Sequence, residues 1–100
     1  MKFLERRVQE VFPGKEAEYA AWEKAWAELE ARVGGFPQKR YYQVMAGPSR
    51  LGVFAWEREW ESFAACEAAY ELMYREEAPS SDWTQIIQSE YMEFYTPWEP

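Results

Sequence analysis

Residues 3–33, FLERRVQEVFPGKEAEYAAWEKAWAELEARV, contain the pattern that decides the fold. Residues 3–12 predict a strand, although the adjacent Arg6 and Arg7 place charge on both of its faces. A Pro-Gly pair then interrupts the chain. Residues 15–33 repeat apolar side chains at steps of three and four, which predicts an amphipathic helix. The stripe on that helix consists of Tyr19, Trp22, Trp26, Leu29 and Val33.

The centre of the chain predicts two further strands. Polar and apolar side chains alternate in residues 38–46 and again in residues 51–58. The Gly-Pro-Ser-Arg segment at 47–50 is too short for a crossover, so it indicates a turn. We therefore expect an antiparallel hairpin.

The remaining residues predict a helix, a short helix and a strand. Ser62 is the expected N-cap of a second helix over residues 62–77. Ser81 is expected to cap a short third helix, and residues 89–96 alternate as a last strand. The apolar positions of the short helix are Trp83, Ile86 and Ile87. The two prolines of the final four residues prevent that tail from pairing as a central strand.

The order β-α-β-β-α-β predicts an α+β fold of the ferredoxin-like type. Two right-handed β-α-β units place a four-stranded antiparallel sheet under helices on one of its faces. At 100 residues the chain has the length of one domain, and we expect a single domain over residues 1–100.

Both faces of the predicted sheet carry large apolar side chains. One face holds Tyr41, Met45, Phe54, Trp56, Met92 and Phe94. The other holds Tyr42, Val44, Val53, Tyr91 and Tyr95. The sequence leaves open which set the helices cover. The uncovered set is a large aromatic surface for a monomer, so we expect a homodimer in which two sheets pack face to face.

Composition excludes several classes of function. The chain has no His and one Cys, which excludes imidazole-based metal and haem sites, a Ser-His-Asp triad and a Cys-His pair. The net charge is −7, and residues 59–100 contain ten acidic residues against one Arg. Such a chain repels nucleic acid. No apolar run indicates a signal peptide or membrane span, so we expect a cytoplasmic protein. Because the chain has no His and only one Cys, we also expect no metal and no cofactor.

Two segments carry a family resemblance. Residues 11–15 (VFPGK), with Glu5 before them and Tyr19 and Trp22 after them, resemble the opening of NIPSNAP-type and antibiotic-biosynthesis-monooxygenase-type domains. Residues 59–62 (EWES) resemble the step from third strand to second helix in those domains. The resemblance implies a dimeric α+β barrel with a pocket between the sheet and helices of each subunit. The relatives that degrade haem use a His ligand, usually beside Asn and Trp. This chain has no His and no Asn, so that activity does not carry over.

Polar and aromatic side chains in mid-strand are the predicted ligand-binding residues. They are Arg40, Tyr42, Trp56, Glu57 and Tyr91. In a dry pocket such groups could supply a base and donors for a substrate anion. The structural alternative is that the Arg and Glu pair across neighbouring strands while the aromatic residues fill the core.

Three functions therefore remain open. The first is a homodimer that binds a small apolar or aromatic ligand. The second is a cofactor-independent monooxygenase or isomerase that acts on a small aromatic metabolite, and the third is a structural interaction module. Cys66 is expected to be a buried, inert thiol, and the Trp22/Trp26 pair to be core. Trp98 is either part of a frayed tail or an anchor on the partner subunit.

Overall fold

The computed structural model describes residues 1–47, 52–79 and 82–100, and its elements follow the predicted order. They are β1 (Phe3–Val11), α1 (Glu16–Val33), β2 (Arg40–Gln43), β3 (Val53–Trp60), α2 (Phe63–Met73) and β4 (Ile87–Tyr95). The strands form one antiparallel sheet in the order β2-β3-β1-β4. This topology confirms the ferredoxin-like α+β fold.

The ends of both helices follow from local chemistry. Gly34 ends α1 with a φ of 84°, a region that glycine adopts without strain, and its N–H donates to Glu30 O at 2.9 Å. Ser62 caps α2 as predicted, because its Oγ accepts from the N–H of Ala65 at 3.1 Å. The Pro-Gly turn after β1 and these two caps account for three of the four helix ends. The second helix ends at Met73, four residues before the predicted bound at residue 77.

Several strands begin or end at residues other than the predicted ones, because strand pairing determines their ends. β3 continues to Trp60, two residues beyond the prediction, because Trp60 pairs with Phe3 at the start of β1. β2 is reduced to four residues, since it is an edge strand that pairs only with β3. Residues 48–51 of the predicted turn and strand lie outside the described residues.

The predicted short third helix is present, but it is shorter than predicted and of the 3₁₀ type. Residues Trp83–Gln85 form a single 3₁₀ turn, and Ile87 already belongs to β4, where it pairs with Val11. Asp82 caps this turn by accepting from the N–H of Thr84 at 3.1 Å. The predicted cap, Ser81, lies outside the described residues. Ile87 therefore belongs to β4, because it pairs with β1, although its spacing had predicted a helix.

The registers decide which set of side chains the helices cover. Trp56 lies opposite Arg7 on β1 and Tyr41 on β2, and Arg7 lies opposite Met92 on β4. Tyr19 of α1 stacks on Phe54 of this face with ring centroids 5.0 Å apart. The helices therefore cover the face of Tyr41, Phe54, Trp56, Met92 and Phe94. Met45 lies beyond the end of β2 and is exposed.

The helix-covered side has two apolar ends and a polar middle. One cluster contains Phe3, Trp60, Cys66 and Ala69, and the other contains Val11, Tyr19, Ile86 and Ile87. Along β1, the positions between these clusters on the same face are Glu5, Arg7 and Gln9. A third cluster, formed by Val8, Val53 and Ala55, lies on the opposite face. The middle of β1 under the helices is thus polar, and Trp56 of β3 lies beside it.

Candidate functional site

A cavity of about 300 Å³ lies over this polar middle, between the sheet and both helices. Six aromatic residues form much of its wall: Trp22, Trp26, Trp56, Tyr70, Tyr74 and Trp83. Six polar residues and a methionine complete it: Arg7, Gln9, Glu23, Glu30, Arg58, Glu90 and Met73. The predicted core pair Trp22/Trp26 is half-buried and lines this cavity, because polar residues occupy the sheet beneath it. We treat the cavity as the candidate site.

A fully buried ion pair lies at one side of the cavity. Glu5 is 0% and Arg58 1% exposed, and Arg58 Nε lies 2.8 Å from Glu5 Oε1. Trp60 Nε1 donates to the same oxygen at 2.8 Å, and the Tyr70 hydroxyl donates to Glu5 Oε2 at 2.6 Å. Burial alone would raise the pKa of Glu5. The Arg58 charge and these three donors outweigh burial and lower that pKa below its ordinary value.

The buried charges continue into α1. Arg58 Nη1 lies 3.0 Å from Glu30 Oε2, and Lys39 Nζ lies 3.4 Å from the same atom. Lys39 Nζ also lies 2.6 Å from Glu23 Oε1. The chain Glu5–Arg58–Glu30–Lys39–Glu23 therefore contains three carboxyl groups and two cations. Burial raises the pKa of Glu23 even though Lys39 opposes the shift.

A second network borders the cavity on the β4 side. The Tyr19 hydroxyl donates to Gln9 Oε1 at 2.5 Å, and Gln9 Nε2 donates to Glu90 Oε2 at 2.9 Å. Arg7 is held more loosely. Its Nη1 lies 3.5 Å from Glu90 Oε1, and its Nη2 lies 3.2 Å from the sulfur of Met92. Arg7 is thus a guanidinium that still has capacity to donate.

Three buried side-chain nitrogens have no hydrogen-bond acceptor among the described residues: Arg7 Nε, Trp26 Nε1 and Arg58 Nη1. Arg58 Nη1 is close to Glu30 but is not aligned for a hydrogen bond. All three residues line the cavity. Buried polar groups are nearly always paired, so the three unpaired nitrogens distinguish this cavity from the rest of the described interior.

The five residues predicted to bind a ligand lie on two faces of the sheet. Trp56 is buried on the helix-covered face and lines the cavity. Arg40, Tyr42, Glu57 and Tyr91 lie on the uncovered face, as their registers require. There Arg40 Nη2 lies 3.6 Å from Glu57 Oε1, and the Tyr42 hydroxyl donates to that atom at 3.3 Å. Tyr91 is in the same row as Tyr42, on the opposite edge strand.

The sequence reasoning missed the buried charges. Glu23, Trp26 and Glu30 stand at steps of three and four, so the two carboxylates flank the aromatic stripe of α1. Glu5 and Arg58 lie directly opposite each other in the β1–β3 register. The helical step was visible in the sequence, whereas the cross-strand pairing required the register. No local pattern in the sequence predicted that Lys39, just before β2, would join the buried charges.

A wider groove of about 590 Å³ runs between the outer side of α1 and the edge strand β2. Small residues of α1 form one wall, including Ala20 and Ala27, and Tyr41 and Tyr42 form the other. None of the three free donors lines it. The smaller cavity is therefore the better candidate for a specific ligand.

Residues 1–47, 52–79 and 82–100 contain neither a metal-ligand cluster nor a membrane-spanning helix. No group of three or more Cys, Asp or Glu side chains is arranged to hold a metal ion within those ranges. None of the helices in those ranges has the length and apolar character that a membrane span needs.

Solved structures share this architecture. An uncharacterised NIPSNAP-like domain protein from Burkholderia xenovorans superposes with a TM-score of 0.71 at 13% identity, covering 97% of this chain and 85% of that chain. A NIPSNAP family protein from Agrobacterium tumefaciens gives 0.69 at 15% identity, with 99% and 95% coverage. A dabb family protein with a ferredoxin-like fold from Mesorhizobium loti gives 0.66 at 10% identity, with 99% and 100% coverage.

These likenesses identify the fold of this chain as the ferredoxin-like α+β fold of NIPSNAP and dabb proteins. The resemblance noted in the sequence is confirmed at that level. No protein-family model matches the chain, and no curated protein sequence matches it. Function therefore has to be argued from the site itself.

Proposed function

We propose that this chain, as one domain over residues 1–100, is a homodimeric protein that binds a small aromatic ligand in the cavity between sheet and helices. The cavity is the observation that carries the proposal. Its volume of about 300 Å³ is at the small end of ligand sites, and aromatic walls with a few polar groups are typical of them. A purely structural module would fill this space with apolar side chains.

The uncovered face of the sheet supports the dimer. One row of side chains crosses all four strands, with large side chains at the edges and small ones in the middle. It consists of Tyr42, Ala55, Val8 and Tyr91. Tyr42 and Tyr91 are about half exposed. Such a surface indicates a protein interface.

A second row on this face alternates in charge. In the strand order β2, β3, β1 and β4, this row consists of Arg40, Glu57, Arg6 and Glu93. The row reads plus, minus, plus, minus. Charged residues that alternate in this way can face a reversed copy of themselves with every charge matched.

The alternating row favours one orientation of the proposed dimer. A two-fold axis parallel to the strands places β2 over the partner's β4 and β3 over the partner's β1. Arg40 then faces the partner's Glu93, and Glu57 faces the partner's Arg6. An axis across the strands places each strand over its own copy and opposes like charges. We propose the first arrangement.

Sedimentation and light scattering test the dimer. The expected mass is near twice 11.9 kDa at micromolar concentration. Glu93→Arg should weaken dimerisation about tenfold, because each of two symmetric contacts becomes repulsive. Arg40→Glu combined with Glu93→Arg should restore it, and Glu71→Arg on the exposed side of α2 is the control. A monomeric wild type would contradict the dimer, and a double variant without rescue would contradict the axis.

Thermal shift and calorimetry test the cavity. Small naphthalene derivatives should raise the melting temperature in a concentration-dependent way. Trp22→Ala should reduce that shift, because it removes an aromatic wall. The exposed Trp98 provides the matched variant Trp98→Ala, for which we expect an unchanged shift. Shifts that are absent, or equal in both variants, would contradict binding in the cavity.

Proton transfer on a bound carbonyl compound is the second candidate function. Glu23 lines the cavity and is the last member of the buried ion-pair network, which contains three carboxyl groups and two cations. Such a group can exchange a proton with a ligand. Deuterium uptake beside the carbonyl of 1-tetralone in D2O should exceed the buffer rate and fall in Glu23→Gln. A rate equal to that of buffer would exclude this function for that class of compound.

We also propose a cytoplasmic location. Cys66, the single cysteine of the chain, is a buried free thiol, which is typical of a reducing compartment.

A further inference from the structure

We infer that the cavity binds an aromatic carboxylate, with its ring among the tryptophans and its carboxylate accepting hydrogen bonds from Trp26 and Arg7. This inference rests on the proposed ligand cavity and names the chemical class of its occupant.

The free hydrogen-bonding capacity of the wall is a set of donors. Trp26 Nε1 and Arg7 Nε lack acceptors among the described residues, and each is an N–H group. Arg58 Nη1 also has no aligned acceptor there, but it is ion-paired with Glu30 at 3.0 Å. Among the described residues, every buried side-chain oxygen has a hydrogen-bond partner. A ligand that completes this wall must therefore supply acceptor oxygens.

The wall carboxylates are already engaged. Lys39 lies 2.6 Å from Glu23, and Arg58 lies 3.0 Å from Glu30. Glu90 accepts from Gln9 at 2.9 Å. An ammonium ligand would have to compete with these contacts. A carboxylate ligand uses only the donors that remain.

Three cations surround the Trp56 ring, and two of them, Arg7 and Arg58, line the cavity together with three carboxylates. Lys39 Nζ lies 4.3 Å from the centroid of the Trp56 ring, and the guanidinium carbons of Arg58 and Arg7 lie 4.7 and 5.5 Å from it. Arg58 is saturated on two nitrogens by Glu5 and Tyr70, whereas Arg7 has only a long contact to Glu90 and a thioether. Arg7 is thus the cation best able to bind a carboxylate.

The test compares three ligands that share one ring system: 2-naphthoate, 2-naphthylmethanol and 2-naphthylmethylamine. Calorimetry at pH 7.5 with the full chain should give the tightest binding for the carboxylate, about tenfold or more over the alcohol, because its hydrogen bonds are charge-assisted. The amine should bind most weakly.

Trp26→Phe keeps a ring and removes one donor. It should weaken 2-naphthoate about tenfold and the alcohol by less. Trp98→Phe makes the same chemical change on the tail, where Trp98 is 82% exposed, and should alter neither affinity.

The outcomes separate two failures. If the amine binds most tightly, or if Trp26→Phe weakens all three ligands equally, the carboxylate assignment is overturned while the cavity remains a binding site. If none of the three binds, both the assignment and the proposed binding function are overturned.

Discussion

Replacing Arg58 with methionine removes the cation at the centre of the buried charge network. Arg58 is 1% exposed and contacts Glu5 at 2.8 Å and Glu30 at 3.0 Å. Methionine has a similar length and no charge, so Arg58→Met leaves two buried carboxyl groups without their main counter-ion. Desolvated charges without a partner are strongly unfavourable.

The magnitude follows from the burial of both partners. Removing one side of a buried ion pair costs about 3–5 kcal/mol. For a domain of this length each kcal/mol lowers the melting temperature by about 4–8 °C, so we expect a drop of at least about 12 °C at pH 7. Arg75→Met, at an exposed position after α2, should cost less than about 0.5 kcal/mol and is the control.

The pH dependence gives an independent readout. In the wild type the pKa of Glu5 is lowered, so its stabilising contribution is present above the ordinary value of 4.5 and is lost as the pH falls through the lowered pKa. In Arg58→Met, burial of Glu5 is no longer opposed by that cation, so its pKa should rise. The variant then regains stability as the pH falls through that raised pKa towards 4.5, and the wild type loses stability below 4.5. The difference should therefore begin to shrink above pH 4.5 and shrink further below it.

Urea or thermal denaturation at fixed protein concentration measures both effects. Adding Glu5→Gln to Arg58→Met should recover part of the lost stability, because the unpaired charge is removed. A melting temperature within about 2 °C of wild type, or a double variant less stable than the single one, would refute the account of the network.

Three other outcomes can be measured on the same material. Because the pKa of Glu23 is raised, its contribution is fully present below 4.5 and is lost as pH rises, so Glu23→Gln should cost less at pH 8 than at pH 5 in urea titrations. Burial raises the pKa of Cys66 to about 11, so a disulfide reagent at pH 8 should modify it only after unfolding. Ser62→Ala should cost about 1 kcal/mol in urea, and an unchanged midpoint would contradict the observed cap.

Local periodicity predicted much of the architecture. The alternation in β2, β3 and β4 separated Tyr41, Phe54 and Trp56 from Tyr42 and Val53 correctly, because successive side chains of a strand point to opposite faces. The helical step and the Ser62 cap located both helices for the same reason: each depends on residues three or four positions apart.

The bounds that failed depend on partners far away in sequence. Ile87 has a helical spacing to Trp83, yet it pairs with Val11 in the sheet. Trp60 extends β3 because Phe3 lies opposite it. Tertiary hydrogen bonds override local preference at such ends.

The candidate site was the least predictable feature. Of the five predicted residues, Trp56 lines the cavity under the helices, whereas the other four lie on the opposite face: Arg40, Tyr42, Glu57 and Tyr91. The pocket instead uses Arg58, Glu30 and other charges, which a sequence pattern assigns to solvent.

The sequence by itself determined the order of the elements and the two sets of side chains on the sheet, since both follow from repeats of two and of 3.6 residues. Only the tertiary structure decided which set the helices cover and that charged residues surround the space beneath them. Burying Glu5 is tolerable only when Arg58, Tyr70 and Trp60 reach it together, and those contacts span more than fifty residues of chain.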